Sequence, residues 1–140
     1  MPFSQYLATQ ILNWVDGVNM PSAPTGLFIT IHSATPGNDG SAANITSTVT
    51  GNGNRIQLPQ ADLGAVQAVG GGGFEKLNTA AVIITNSAVN GSSAFASHAA
   101  LWDANASGNL LFHDALSVVT EIQFGDLVKF DPSTFSVRCV

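Results

Sequence analysis

The sequence predicts a mainly β fold: an antiparallel β-sandwich of about seven to eight strands with one N-terminal α-helix. Three observations carry this expectation. Short apolar runs recur at close spacing from residue 27 onward. Clusters of Gly, Pro, Asn, Asp and Ser separate them, as turns do. Helical periodicity shows in a single stretch, at the N-terminus.

That stretch covers residues 3–16. Ser4 is a good N-cap, and Phe3 before it is placed to staple onto Ala8. Leu7, Ala8, Ile11, Leu12 and Val15 form an apolar stripe, expected to face the core. Gly17 supplies a left-handed stop. Pro21, Pro24 and Gly26 mark a connector. Leu27 to His32 follows as a strand. Leu27, Ile29 and Ile31 take one side, and Phe28 on the other indicates partial cover of both.

Residues 33–54 are Ser, Thr, Gly, Asn and Ala in the main, too long for an ordinary loop in a compact domain. The expectation is a mobile surface excursion, with Ile45 to Val49 as a short edge strand. Arg55 to Leu58 reads as another short strand. Gly70 to Gly73 reads as a linker or hairpin loop. Asn78 to Thr85 is apolar on both faces at Ala81 to Ile84, which predicts a central strand between two layers. Residues 86–94 are a polar turn. His98 to Trp102 and Leu110 to Leu116 flank a loop of Asp, Asn, Ser and Gly and form a hairpin. Val118 to Ile122 is a further short strand. Leu127 to Phe130 and Thr134 to Val140 are joined by Asp131, Pro132 and Ser133. No repeat is visible, and the length of 140 residues predicts one domain spanning 1–140.

Charge is the unusual quantity. Only 9% of residues are charged, against about 25% in ordinary globular domains. A surface kept soluble by Ser, Thr and Asn fits this, and so does a subunit covered by partners. The second is preferred. Net charge is −5, with Arg55, Lys76, Lys129 and Arg138 scattered. That argues against nucleic acid, which needs clustered Lys and Arg to neutralise phosphate. No basic amphipathic helix and no apolar run of membrane length is present, so no membrane partner is expected. No signal peptide is visible, which predicts assembly in the cytoplasm of the producing cell. Cys139 is the one cysteine. It reads as a small apolar strand residue alternating with Val137, with an interchain disulfide as the alternative.

No catalytic, cofactor or metal site is expected. His32, His98 and His113 lie at no metal-ligand spacing. Asp103 and Asp114 sit where carboxylates cap local backbone rather than where a glycosidase pair is read. The tetraglycine lacks the GxxxxGK[ST] frame of a phosphate loop. A carbohydrate-binding module is the competing non-enzymatic class, with Trp102 or Trp14 as stacking platform. The apolar setting of Trp102 favours a core role for it.

The strings "FSQYLATQILNWVDG", "APTGLFITIHSATPGNDG", "LNTAAVIITNSA", "ASHAALWDANASGNLLFHDAL" and "FGDLVKFDPSTFSV" occur in this order. Together they resemble a family of small tailed-phage virion proteins, often labelled tail-fibre proteins and including β-sandwich capsid cement (decoration) proteins. The chain departs from the pattern at Leu101-Trp102 and at the tetraglycine. The resemblance implies a virion structural protein and no catalytic residue. It implies a homotrimer on the capsid surface, with the major capsid protein as partner. A tail-fibre or baseplate subunit is the alternative. The candidate subunit contacts are Tyr6 and Trp14 on the helix, and Asn38, Asp39, Asn52, Asn54 and Arg55 in or beside the long polar segment.

Overall fold

A computed structural model describes residues 3–50, 54–85 and 93–139. The fold is mainly β, with one main helix near the N-terminus. Helix α1 runs Gln5–Val15 and a short helix α2 runs Thr46–Thr50. The strands are β1 Leu27–His32, β2 Ile56–Leu58, β3 Gln67–Val69, β4 Gly73–Leu77, β5 Val82–Thr85, β6 Ala94–Trp102, β7 Leu110–Ile122, β8 Leu127–Phe130 and β9 Ser136–Cys139. They form three antiparallel sheets, ordered β2-β1-β6-β7, β3-β4-β9 and β5-β8.

The four-stranded sheet organises the molecule. Its inner face carries Leu27, Ile29 and Ile31 of β1, Ala99 and Leu101 of β6 and Leu111 of β7. Val82 and Ile84 of β5, with Phe135, complete that core from the other sheets. Val128, Phe130 and Val137 pack against it. The outer face of the same sheet is also closed. Ala100, Trp102 and Leu110 form a second buried cluster there, with Phe28 against it. Cover on both sides of β1 follows the sequence reading; Thr30 and His32 are buried outright.

The described part of the long polar segment, residues 33–50, is folded onto the main sheet, with residues 38–42 as a lid over that outer face, where a mobile excursion was expected. Ser33 N–H donates to Ala43 O, Ile45 N–H to Ile31 O, and His32 bridges to Asn44. Residues 45–49 are not an edge strand. Asn44 Oδ1 accepts from Thr46 N–H at 2.9 Å, capping α2, and Val49 is fully buried. Val49 enters the inner core with Ile45 packed beside it, Pro36 is buried as well, and a set of backbone hydrogen bonds completes the anchoring of a stretch whose composition reads as loop.

His32 lies beneath this lid. Its Nδ1 is 2.8 Å from Ala42 O, which can only accept, so Nδ1 carries the proton. Nε2 then accepts from the Thr30 hydroxyl at 2.7 Å, and Thr30 Oγ1 accepts from Trp102 Nε1 at 2.8 Å. Burial lowers the His32 pKa from 6.5, the Ala42 carbonyl works against it, and His98 and His113 lower it further. The native state therefore favours neutral His32, while the unfolded chain takes up a proton near pH 6.5. Stability is full above that value and falls as pH drops below it, towards the folded pKa. His113 is lowered too, mainly by burial, and adds in the same direction. The urea midpoint should fall between pH 7.5 and pH 5.5, and a His32→Gln variant should show a flatter profile. An unchanged profile would contradict the relay.

Other elements depart from expectation. The strand predicted over residues 78–85 shortens to β5 and is not central: Ile83 is exposed, while Val82 and Ile84 face in. Asn78 leaves the strand to serve as a buried polar hub. β6 and β7 are longer than predicted, and Val118 to Ile122 is the end of β7 rather than a separate strand. The tetraglycine turns the β3–β4 hairpin, with Gly71 and Gly72 at φ of 88° and 87°. The predicted polar turn at 86–94 lies mostly outside the described residues.

The helix begins and ends as its sequence dictates. Ser4 Oγ accepts from Leu7 N–H at 3.1 Å. Val18 N–H returns to Asn13 O across Gly17, which has φ of 87°. Its packing differs from expectation. Phe3 packs at a tilt on Phe112, with ring centroids 5.4 Å apart. Tyr6 and Leu7 touch the core, but no helix residue is fully buried. Ile11→Ala should therefore cost under about 1 kcal/mol, well below the roughly 2–5 kcal/mol of a core truncation. Denaturation of that variant beside Leu7→Ala checks this; a larger loss at Ile11 would place the helix in the core.

Candidate interaction surface

α1 is fastened to β7 at one end only. Ser4 N–H donates to Leu111 O at 2.9 Å, and its hydroxyl donates to Leu110 O. The first turns of the helix thereby form one bank of a shallow groove of about 430 Å3 over the outer face of the main sheet. Tyr6, Thr9 and Gln10 line it from the helix, Asn38 and Asp39 from the lid, and Asn109 from the β6–β7 loop. Three of the sequence-predicted contacts, Tyr6, Asn38 and Asp39, thus meet in one place. Asp39 accepts from Ser41 N–H at 3.0 Å and from its hydroxyl at 2.8 Å. These bonds, the backbone one first, hold its carboxyl below the usual range. The groove offers amides, a phenol and one ionised carboxylate, a set suited to neutral polar partners.

Trp102 forms part of this groove, with its ring buried. The Arg55 guanidinium covers that ring at 3.6 Å from its centroid. Arg55 Nη1 also donates to Ala104 O and Ser107 O, both at 2.7 Å. Arg55, a candidate subunit contact, thus also clamps its own β6–β7 loop. Asp103 secures the same loop, accepting from Asn109 N–H at 2.6 Å and from the Asn109 amide at 2.8 Å. This is the capping role that its position in the sequence predicts. A sugar cannot stack on the ring face that Arg55 occupies.

Asn54 is exposed next to Arg55, and Asn52 lies outside the described residues. Trp14 does not join the groove. It belongs to a second patch at the free end of α1, where Leu12 is 69%, Trp14 60% and Val15 74% exposed. Val18 and Met20 extend it past the helix. The sequence reading placed Leu12 and Val15 in the core. One signal pointed the other way: no face of this helix carries a charge before Asp16, so neither side is marked for water.

His98 pairs with His32 across β1–β6 and with Ala115 across β6–β7, so His98 and His113 are not direct partners in the hairpin. Among the described residues, no group of three or more His, Cys, Asp or Glu is placed to hold a metal ion. No helix among them is long and apolar enough to cross a membrane.

The accessible surface is 7597 Å2, above the roughly 6,800 Å2 expected for a folded chain of this mass. The fold and these two patches define the class: a small antiparallel β protein with thin charge cover and an uncovered apolar helix end. Its family is shown by the sequence. Residues 2–138 match the family model described as Podophage GP4 fiber I protein gp80, and the chain belongs to that family. It is a bacteriophage virion structural protein. No curated protein matches it.

Proposed function

We propose that this protein is a non-enzymatic subunit of a virion appendage, present in several copies and docked through neutral polar contacts. The observation that carries this is the pairing of a polar, nearly uncharged groove with an exposed apolar helix end on a charge-poor chain. Such contacts suit assembly that survives raised salt. The description of the matching family as a fibre protein supports a place in a tail fibre or at its attachment. A homotrimer is the expected state, with neither nucleic acid nor membrane as partner.

A second reading has its own support. The chain has no coiled-coil heptads and no repeats, the usual means of building a long fibre. A β domain of this kind fits a capsid cement role, with trimers on the major capsid protein at the capsid surface. Gold-labelled antibody against the protein on intact virions separates the two. Label confined to the tail supports the fibre reading, and label over the whole head supports cement. Absence from purified virions would defeat both.

A further inference from the structure

The helix end has a counterpart elsewhere on the same chain. A groove of about 300 Å3 lies where the β3-β4-β9 sheet meets the main sheet. Leu27 and Leu101 form its floor, and Leu63, Val66, Phe74 and Phe112 its walls. Val66 is 60% and Phe74 56% exposed, so the groove is open. Its lining is almost wholly apolar.

The chain's own helix does not fill this groove. α1 is fixed at Ser4, beside the Phe3–Phe112 pair, and Phe112 is itself a groove wall. From that root the helix extends about 16 Å. Its far end stays exposed, as the Leu12 and Val15 side chains show. One molecule thus presents a convex apolar end and a concave apolar groove that do not meet.

We propose that the end of α1 in one copy seats in this groove of a second copy, making a head-to-tail contact. Three observations favour a second copy as the occupant. The first is area. Leu12, Trp14, Val15, Val18 and Met20 expose together on the order of 600 Å2, the upper end of what a monomer leaves uncovered. One docked side of the helix end buries part of that area, the range of a small, reversible contact below the roughly 800 Å2 per partner of a standard interface. The second is charge. Asp16 at the helix terminus makes no side-chain hydrogen bond or ion pair among the described residues. Lys76 lines the groove, and among the described residues its ammonium donates to Gly64 O, at 3.0 Å. A docked helix end brings these opposite charges to one interface. The third is the sheet beneath the groove: Glu75 there is already paired with Arg138 at 2.8 Å, leaving Lys76 as the cation to be matched. Because the two surfaces differ, the contact is heterologous and closes into a ring where the rotation permits. The proposal needs only the purified chain, so it stands or falls independently of head or tail location.

Sedimentation velocity tests it with Val15→Lys on the helix and Val66→Lys in the groove. The unmodified chain should associate as concentration rises. Each variant alone should associate at least tenfold more weakly. Mixed in equal amounts, the two should form a dimer of one copy each and nothing larger, since one retains the helix end and the other the groove. A chain that is monomeric at every concentration overturns the proposal. So does association of either variant at the unmodified strength, or a mixture that forms no dimer. Both residues are exposed, and circular dichroism melts should match the parent. Leu12→Ser with Phe74→Ser gives a second pair if either variant fails to fold.

Discussion

Asn78→Ala should lower stability by about 3 kcal/mol, because it leaves several buried polar groups without partners at once. Asn78 is fully buried. Its Oδ1 accepts from Phe135 N–H at 2.8 Å. Its Nδ2 donates to Ala80 O at 2.9 Å and to Asp131 O at 2.8 Å. Its backbone adds two bonds, donating to Phe135 O and accepting from Ser133 N–H. One side chain therefore ties the end of β4 to the β8–β9 turn and to the start of β5. Native domains hold only about 5–15 kcal/mol in all, so this single change should be visible at once. Urea denaturation should show a lower midpoint with an unchanged slope. A loss below about 1 kcal/mol would mean that water replaces the amide.

Gly40→Ala should cost a similar amount by a different route. A Cβ at Gly40 would stand 2.4 Å from Trp102 Cζ2 and 2.7 Å from Cη2. The indole cannot swing aside freely. Its Nε1 is bound to Thr30, and Arg55 lies over its face. Gly40 also has φ of 73°, which an L side chain tolerates poorly. Left-handed strain of about 1–2 kcal/mol and overpacking of about 1–3 kcal/mol together predict a loss near 3 kcal/mol. Gly71→Ala is the matched control. Its φ is 88°, but nothing lies within 4 Å of the added carbon, so only the backbone cost remains. Equal losses at the two glycines would mean that the lid moves away from Trp102 without penalty.

These two positions also mark what the sequence could and could not disclose. Local rules were legible. Ser4 and Gly17 bound the helix, alternation locates β1, and the Asp-Asn-Ser-Gly loop fixes the β6–β7 hairpin. Each depends on residues within a few places of one another. Long-range facts were not legible. The apolar stripe of α1 has the right period, but which part of it is covered depends on where Ser4 anchors to β7. Residues 33–50 have a loop's composition, and only Gly40 against Trp102, Ala42 O on His32 and Val49 in the inner core hold them in place. Asn78 sits at the head of an apolar run that reads as strand, and its role needs Phe135 and Asp131, more than fifty residues away. β3 and β4 are short and joined by glycines, so their pattern is too weak to read.

The candidate contacts divide in the same way. Tyr6 lies on α1 and Asn38 and Asp39 on the lid, far apart in sequence, and the fold assembles them into one groove. Arg55 hydrogen-bonds to Ala104 and Ser107 of its own chain. Composition gives the capacity of a side chain for contact. Only the fold decides whether a neighbour in the same chain uses it first.

We propose a multi-copy virion subunit whose charge-poor surface is covered on assembly. A cryo-electron microscopy reconstruction of the intact virion tests it most directly. The density should hold this β domain in several symmetry-related copies, with Leu12, Trp14 and Val15 buried against protein. A virion lacking the domain, or holding it with the helix end facing solvent in every copy, would rule out assembly through this surface.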